Sequence, residues 1–104
     1  MKKVYISGRI TGDVLFFPKF AAAEERLQAA GFKAINPAAI QPANWATATW
    51  ADYMKADIKK LMTADAIFML KDWRRSRGAR LERRLAKKLN IAVYYEKDGV
   101  EAIK

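Results

Sequence analysis

The sequence predicts an α/β fold in which helices cover both faces of a four-stranded parallel sheet. Four short apolar segments of strand length alternate with three longer segments whose apolar residues recur at helical spacing. The two later apolar segments are continuous, which is typical of parallel strands buried on both faces. Parallel strands also require connections long enough to contain a helix. These observations predict the element order β-α-β-α-β-α-β.

The first half of the chain is predicted to contain two strands and a helix. Val4 to Ser7 forms a short apolar strand, and a turn-like stretch from Gly8 to Asp13 follows it. A helix runs from Pro18, a residue suited to the first turn, to Ala30, and Gly31 can cap its end. Phe32 to Asn36 alternates apolar with polar residues, which predicts an edge strand.

A loop from Pro37 to Thr49 leads into the second predicted helix. Thr49 and Asp52 have the spacing of an N-cap pair in which Asp replaces the usual Glu. The helix should therefore run from Trp50 to about Thr63.

The remaining chain is predicted to form strand, helix and strand. The strands are Asp65 to Leu70 and Ile91 to Tyr95, the helix between them runs from about Arg77 to Leu89, and Val100 to Lys104 is expected to be a frayed tail. Right-handed crossovers favour a flavodoxin-like three-layer fold with strand order 2-1-3-4. In such sheets ligands bind beyond the carboxyl ends of the strands where the order reverses. The loops after the first and third strands should thus form the site.

Length and composition exclude several function classes. We expect residues 1–104 to form one domain, since a chain of this length builds a single core. Without Cys or His there are no disulfides, no Cys/His zinc sites and no Ser-His-Asp or Cys-His triad, so any catalysis falls to carboxylates and hydroxyls. No apolar run approaches ~18 residues, and the N-terminus does not resemble a signal peptide. We expect a cytoplasmic protein without membrane contact.

The chain is strongly basic, with a net charge of +9, which favours nucleic acid, nucleotides or phosphorylated small molecules as partners. Residues 71–90 hold nine basic and two acidic residues. The basic residues of the last helix follow helical spacing without interleaved aromatic residues. That pattern favours a solvated helix face over a nucleic-acid interface, although both explanations are open.

Two carboxylates stand among apolar residues on the predicted helices. Glu82 falls inside the apolar stripe of the third helix, and Asp57 lies on the buried face of the second. In a structural role, each pairs with a base or a backbone amide, or lies at the edge of the stripe. In a catalytic role, both line a cleft, where one attacks or stabilises an electron-poor centre and the other transfers a proton. Glu82 is better placed, because it lies nearer the carboxyl edge of the sheet.

Three further features lie near the predicted crevice. The segment from Ser7 to Gly12 offers N–H groups, a hydroxyl and a guanidinium that suit a phosphate, but a plain βα turn fits equally. Ser76 and Gly78 begin the third helix, where a phosphate or sugar site and a simple N-cap are both open. Tyr5 either packs in the core or places its phenol beside a carboxylate.

Three segments of the chain resemble the nucleoside 2-deoxyribosyltransferase-like family, especially a small branch of uncharacterised bacterial and phage proteins. They are Tyr5 to Gly12, Asp57 to Asp65 and Ser76 to Glu82, and the resemblance spans nearly the whole chain. The last segment is the most specific, because members of that family share Ser, Gly and Glu at positions i, i+2 and i+6. The resemblance implies a flavodoxin-like fold and a homo-oligomer whose neighbouring subunits complete the site.

The resemblance also implies roles for individual residues. Glu82 would attack the anomeric carbon of a 2′-deoxynucleoside or its 5′-monophosphate and form a covalent deoxyribosyl-enzyme. Asp57 would assist protonation of the departing base, and Tyr5 would orient Glu82. No metal or organic cofactor is required. The implied substrate-binding residues are Gly8, Arg9, Ile10, Thr11, Gly12, Ser76 and Gly78.

The chain departs from the longer transferases in two respects. They carry a second acidic residue just before the serine motif, where Trp73, Arg74 and Arg75 stand here, and a C-terminal polar residue that has no counterpart. Deoxyribosyl transfer, N-glycoside hydrolysis, non-catalytic nucleotide sequestration and basic nucleic-acid binding therefore remain open. Trp45, Trp50 and Trp73 either stack on a base or pack a subunit interface.

Overall fold

A computed structural model of the chain, which describes residues 1–39 and 46–104, contains a four-stranded parallel sheet. The strands are β1 (Lys3–Ser7), β2 (Lys33–Ile35), β3 (Ala66–Met69) and β4 (Ala92–Tyr95). They pair in the order β2-β1-β3-β4, with every pairing parallel. This confirms the predicted strand order, which reverses direction between β1 and β3.

Three helices connect the strands: α1 (Phe16–Ala29), α2 (Trp50–Leu61) and α3 (Arg77–Lys88). The predicted cap of α2 is present as a full capping box, in which Thr49 accepts from the Asp52 N–H and Asp52 accepts from the Thr49 N–H. The described ranges contain no helix long and apolar enough to cross a membrane.

Alternating side chains of the central strands supply a core on each face of the sheet. On one face Val4 and Ile6 pack with Phe20 and Leu27 of α1. On the other face Tyr5 packs in a cluster that includes residues of α2, β3 and α3. Because strand side chains alternate, odd-numbered residues of β1 point toward α2 and α3. The second face is the one that carries the predicted carboxylates.

The structure differs from the sequence predictions at the chain's last strand and tail. β3 is buried throughout, as predicted, whereas β4 is only partly buried because it forms the sheet edge. The frayed tail was a wrong prediction: Ile103 is buried in the α1-side core after a short 3-10 turn. The third helix was expected to end at about Leu89; α3 ends at Lys88, and Leu89 is 53% exposed. The prediction that Trp45 stacks on a base or packs a subunit interface falls on a residue outside the described ones.

Candidate functional site

A cleft of about 770 Å³ is lined by the segments that follow β1 and β2, by the end of the connection from β3 to α3, and by the N-terminal halves of α2 and α3. Its location is the point at which the strand order reverses, where open α/β sheets bind ligands. The cleft brings together most of the predicted site residues, namely Gly8, Arg9, Ile10, Thr11, Asp57, Ser76, Gly78 and Glu82. Gly12 and Tyr5 do not line it: Gly12 occupies the turn beyond the cleft, and Tyr5 lies behind Glu82.

Glu82 is held from both sides by hydroxyl groups of β1. The Tyr5 hydroxyl donates to Glu82 Oε2 at 2.5 Å, and the Ser7 hydroxyl donates to Oε1 at 2.7 Å. Glu82 is only 4% exposed, and Tyr5 and Ser7 are fully buried. The carboxylate therefore has a fixed orientation at the wall of the cleft.

Ser7 is a further residue of the site. Its role in holding Glu82 was not predicted from the sequence. It was considered only as part of a phosphate-binding turn, although it stands two residues after Tyr5 in the same strand. Residues i and i+2 of a strand point to the same face. That periodicity was the available signal that both hydroxyls face one carboxylate.

Asp57 lines the cleft from α2 and is 9% exposed. None of the hydrogen bonds found within residues 1–39 and 46–104 involves its side chain. It therefore differs from Glu82, whose two oxygens both have protein donors. A buried carboxyl without such donors is available to a bound ligand.

Burial changes the acidity of both carboxyls. Loss of hydration raises the pKa of Glu82 to about 7, although the Tyr5 and Ser7 hydrogen bonds oppose the increase. Loss of hydration, followed by repulsion from Glu82, raises the pKa of Asp57 to about 8. The same burial, together with both carboxylates, raises the pKa of Tyr5 and keeps its phenol a donor. Near pH 7.5 the pair can thus hold one ionised carboxylate beside one neutral acid.

The loop after β1 is anchored by a lysine of α1, Lys19. Lys19 Nζ donates to the Arg9 carbonyl at 2.8 Å and forms ion pairs with Asp13 and Asp72. Asp72 also accepts from the Arg9 N–H at 3.1 Å. Because Asp72 follows β3, these contacts join the two loops that border the cleft. Gly12, at φ +82°, permits the intervening turn.

The start of α3 combines helix capping with close packing. Ser76 Oγ accepts from the Ala79 N–H at 3.0 Å, so the serine is an N-cap, as one of its two predicted roles required. A Cβ at Gly78 would lie 2.9 Å from Met54 Sδ of α2. Glycine therefore permits the close approach of α2 and α3 around the cleft.

Basic and aromatic groups border the mouth of the cleft. Arg9, Arg75 and Arg77 are among its lining residues. The Arg77 guanidinium lies 3.8 Å from the centre of the Trp50 ring, which joins the first turns of α2 and α3. Trp73, by contrast, packs against Tyr95 outside this cleft. The cleft thus pairs an acidic interior with a cationic rim, an arrangement suited to a ligand with a phosphate group at one end.

No set of metal ligands is evident in the described part of the chain. Residues 1–39 and 46–104 contain no cluster of three or more carboxylates positioned to hold an ion. The groups available for chemistry are the two carboxyls, the hydroxyls of Tyr5, Ser7 and Ser76, and the arginines. These groups can supply a nucleophile, an acid and an anion site.

Comparison with known proteins gives a family match and a structural match. A family model described as Domain of unknown function (DUF4406) matches residues 2–95. Among solved structures, the chain is similar to a 2-deoxyribosyltransferase from the psychrotolerant bacterium Bacillus psychrosaccharolyticus, with a TM-score of 0.71, 17% identity, and coverage of 89% of this chain and 70% of that one. A search of curated proteins gave no significant match. The structural similarity extends to the fold, including the predicted flavodoxin-like arrangement.

Proposed function

The chain belongs to the DUF4406 family, and we propose that it cleaves the N-glycosidic bond of a 2′-deoxynucleoside or its 5′-monophosphate. The observation that carries the proposal is Glu82, a buried carboxylate oriented by two hydroxyls at the wall of a cleft that also contains Asp57. A structural role would pair the carboxylate with a base or a backbone amide, whereas the partners of Glu82 are two hydroxyls at the cleft. The fold shared with a 2-deoxyribosyltransferase supports the same reaction class.

In the proposed reaction, a Glu82 oxygen attacks C1′ of the sugar while the bond from C1′ to the base nitrogen breaks. The bonding electron pair leaves with the base, and the Asp57 carboxyl donates a proton to it. The product is an ester between Glu82 and the deoxyribosyl group. Tyr5 and Ser7 hold the carboxylate in the attacking orientation, and their hydrogen bonds also stabilise its charge.

The second step returns Glu82 to its free form. Water, or a second base, attacks C1′ from the face that the first base left, and the C1′–Glu82 bond breaks. Asp57, now ionised, accepts the proton that the attacking group releases. Two displacements give overall retention at C1′, as in retaining glycosidases. Water yields hydrolysis, whereas a base yields deoxyribosyl transfer.

A 5′-phosphate is the substrate feature that the cationic rim would recognise. Arg9, Arg75 and Arg77 line the cleft, and Ser76 lies at the N-terminus of α3, where helix N–H groups favour an anion. If the phosphate contributes to binding, a deoxynucleoside monophosphate should have a lower KM than the matching nucleoside. Equal KM values would restrict the proposal to nucleosides.

The decisive test is base release measured by chromatography after incubation with the four deoxynucleosides and their 5′-monophosphates. Wild-type protein should release free base, and mass spectrometry of a quenched reaction should detect protein carrying one deoxyribosyl group. Glu82→Gln should abolish both signals while keeping the fold. Glu25→Gln, on the exposed surface of α1, is the matched control and should retain them.

Other outcomes would support a different function for the protein. Tight nucleotide binding by calorimetry without base release would favour the sequestering protein. Unchanged release by Glu82→Gln would remove the glutamate from the reaction. Binding of duplex DNA that survives at moderate salt and disappears when Arg80, Arg83 and Arg84 are reversed in charge would favour nucleic-acid binding instead.

We also propose that the chain forms a homo-oligomer. Near the start of α1, Val14, Leu15 and Phe17 are 94%, 65% and 60% exposed, and the neighbouring Phe16 lines the cleft. Adjacent exposed apolar side chains of this size are typical of an interaction surface. Light scattering should give a mass above that of one chain, and Phe17→Asp should reduce it to one chain. A monomeric wild-type protein would contradict the proposal.

A further inference from the structure

We propose that a second pocket, distinct from the cleft around Glu82, binds the phosphate group of a phosphorylated ligand. The pocket lies at the carboxyl ends of β3 and β4 and has a volume of about 440 Å³. Within the described residues it shares no lining residue with the cleft. A volume of this size is typical of small-molecule sites.

The pocket is cationic and its charge is not neutralised by the protein. Four basic residues and one acidic residue line it, namely Lys71, Arg74, Arg83, Lys97 and Asp98. Among residues 1–39 and 46–104, none of these four basic residues forms an ion pair with a carboxylate. The neighbouring Glu96 is already engaged, because it accepts from the Lys71 N–H at 2.8 Å and from Arg26 at 2.6 Å.

Arg83 is fixed in place and still has unused donors. Its Nε donates to the Tyr95 hydroxyl at 2.8 Å, and its guanidinium carbon lies 4.7 Å from the centre of the Trp73 ring. Within the described residues, no acceptor binds the two terminal nitrogens of its guanidinium. Arg presents these nitrogens as a planar fork that suits two oxygens of a phosphate. Fixing the fork in advance lowers the entropy lost on binding.

More than one cationic side chain lies near the aromatic pair in the pocket. Trp73 and Tyr95 have ring centres 6.1 Å apart. Arg74 lies 5.3 Å from the Trp73 ring, and Lys97 Nζ lies 5.9 Å from the Tyr95 ring. The ring faces attract each cation, but the cations repel one another. A dianionic phosphate between them would replace that repulsion with attraction, which favours phosphate over a singly charged anion.

The phosphate can belong to a small phosphorylated molecule or to a nucleic-acid strand, and the two sources are distinguishable. The first arm of the test titrates the protein with inorganic pyrophosphate and follows the Arg83 Nε–H and Trp73 indole N–H signals by NMR. The second arm uses a single-stranded oligothymidylate. Saturable shifts of both signals by pyrophosphate identify a small-molecule site, whereas shifts only with the oligonucleotide identify a strand.

Conservative variants distinguish this pocket from a diffuse basic surface. Arg83→Lys keeps the charge but removes the fork, so binding of the ligand that shifts these signals should weaken about tenfold or more. Tyr95→Phe keeps the ring but releases the guanidinium, and should weaken binding several-fold. Arg84→Lys, on the exposed neighbouring position of α3, should leave affinity unchanged. Equal weakening by the two arginine variants, or no shift at Trp73 with either ligand, would overturn the proposal. Base release by Glu82 is not needed for any of these outcomes.

Discussion

Replacing the buried charge at position 82 should alter the pH dependence of stability in a calculable way. Burial raises the pKa of Glu82 from 4.5 to about 7. Between those values the native state binds a proton that the unfolded state has released, so the free energy of unfolding falls as the pH rises. Each pKa unit is worth about 1.36 kcal/mol, and the whole shift corresponds to about 3 kcal/mol.

Glu82→Gln removes this titration and retains groups that can hydrogen-bond to the Tyr5 and Ser7 hydroxyls. Wild type and variant should therefore have similar stability near pH 4.5, and the variant should be more stable by about 3 kcal/mol above pH 8. Loss of the Glu82 charge also lowers the repulsion acting on Asp57, which changes the difference in the same direction. The ionised Glu82 side chain would thus lower the free energy of unfolding at alkaline pH.

Urea unfolding followed by tryptophan fluorescence at several pH values measures this difference. The separation between midpoints should grow by about 1–3 M urea from pH 4.5 to pH 8.5. Glu25→Gln makes the same chemical change on the exposed surface of α1 and should follow the wild-type curve. If all three proteins lose stability in parallel, burial of the charge at position 82 does not produce the pH dependence, and the reasoning is refuted.

Three further predictions concern the reaction and the fold. The rate of base release should have a bell-shaped pH dependence, rising as Glu82 ionises near pH 7 and falling as Asp57 ionises near pH 8. Asp57→Asn should lower the rate and remove the alkaline limb. A flat wild-type profile between pH 6 and 9 would contradict these assignments. Tyr5→Phe removes a hydrogen bond that lowers the pKa of Glu82, so the acidic limb of the kcat/KM profile should move to higher pH. An acidic limb at the wild-type pH would show that the phenol does not act on the carboxylate. Thr49→Ala removes one half of the α2 capping box and should destabilise the protein by about 1 kcal/mol in urea unfolding, and no change would mean that Asp52 alone caps the helix.

Much of the fold followed from local sequence patterns. The continuous apolar run that became β3, the Thr49 cap and the Gly31 helix end each reflect interactions within a few residues. Such short-range signals are readable because strand and helix periods are fixed by backbone geometry. The tail was mispredicted for the opposite reason, since Ile103 is ordered by contact with residues far away in the chain.

The candidate site was predicted in part by the conflict between Glu82 and its apolar neighbours. A carboxylate in a buried stripe is visible on a helical wheel, and so is Asp57 on α2. Nothing local, however, indicated that Lys19 would pair with Asp72, which lies 53 residues further along the chain. Contacts of that kind depend on which loops the strand order places side by side.

The sequence by itself therefore determined the layered α/β architecture and identified Glu82 as a carboxylate in the wrong surroundings. Only the tertiary structure decided what those surroundings are: a Tyr5 and a Ser7 hydroxyl 75 or more positions away, and Asp57 in the same cleft. Helical and strand periodicity fix which face a side chain occupies, because they follow from the backbone alone. Partners and pKa values depend on the distances between elements, and those distances are set only when the sheet and helices pack together.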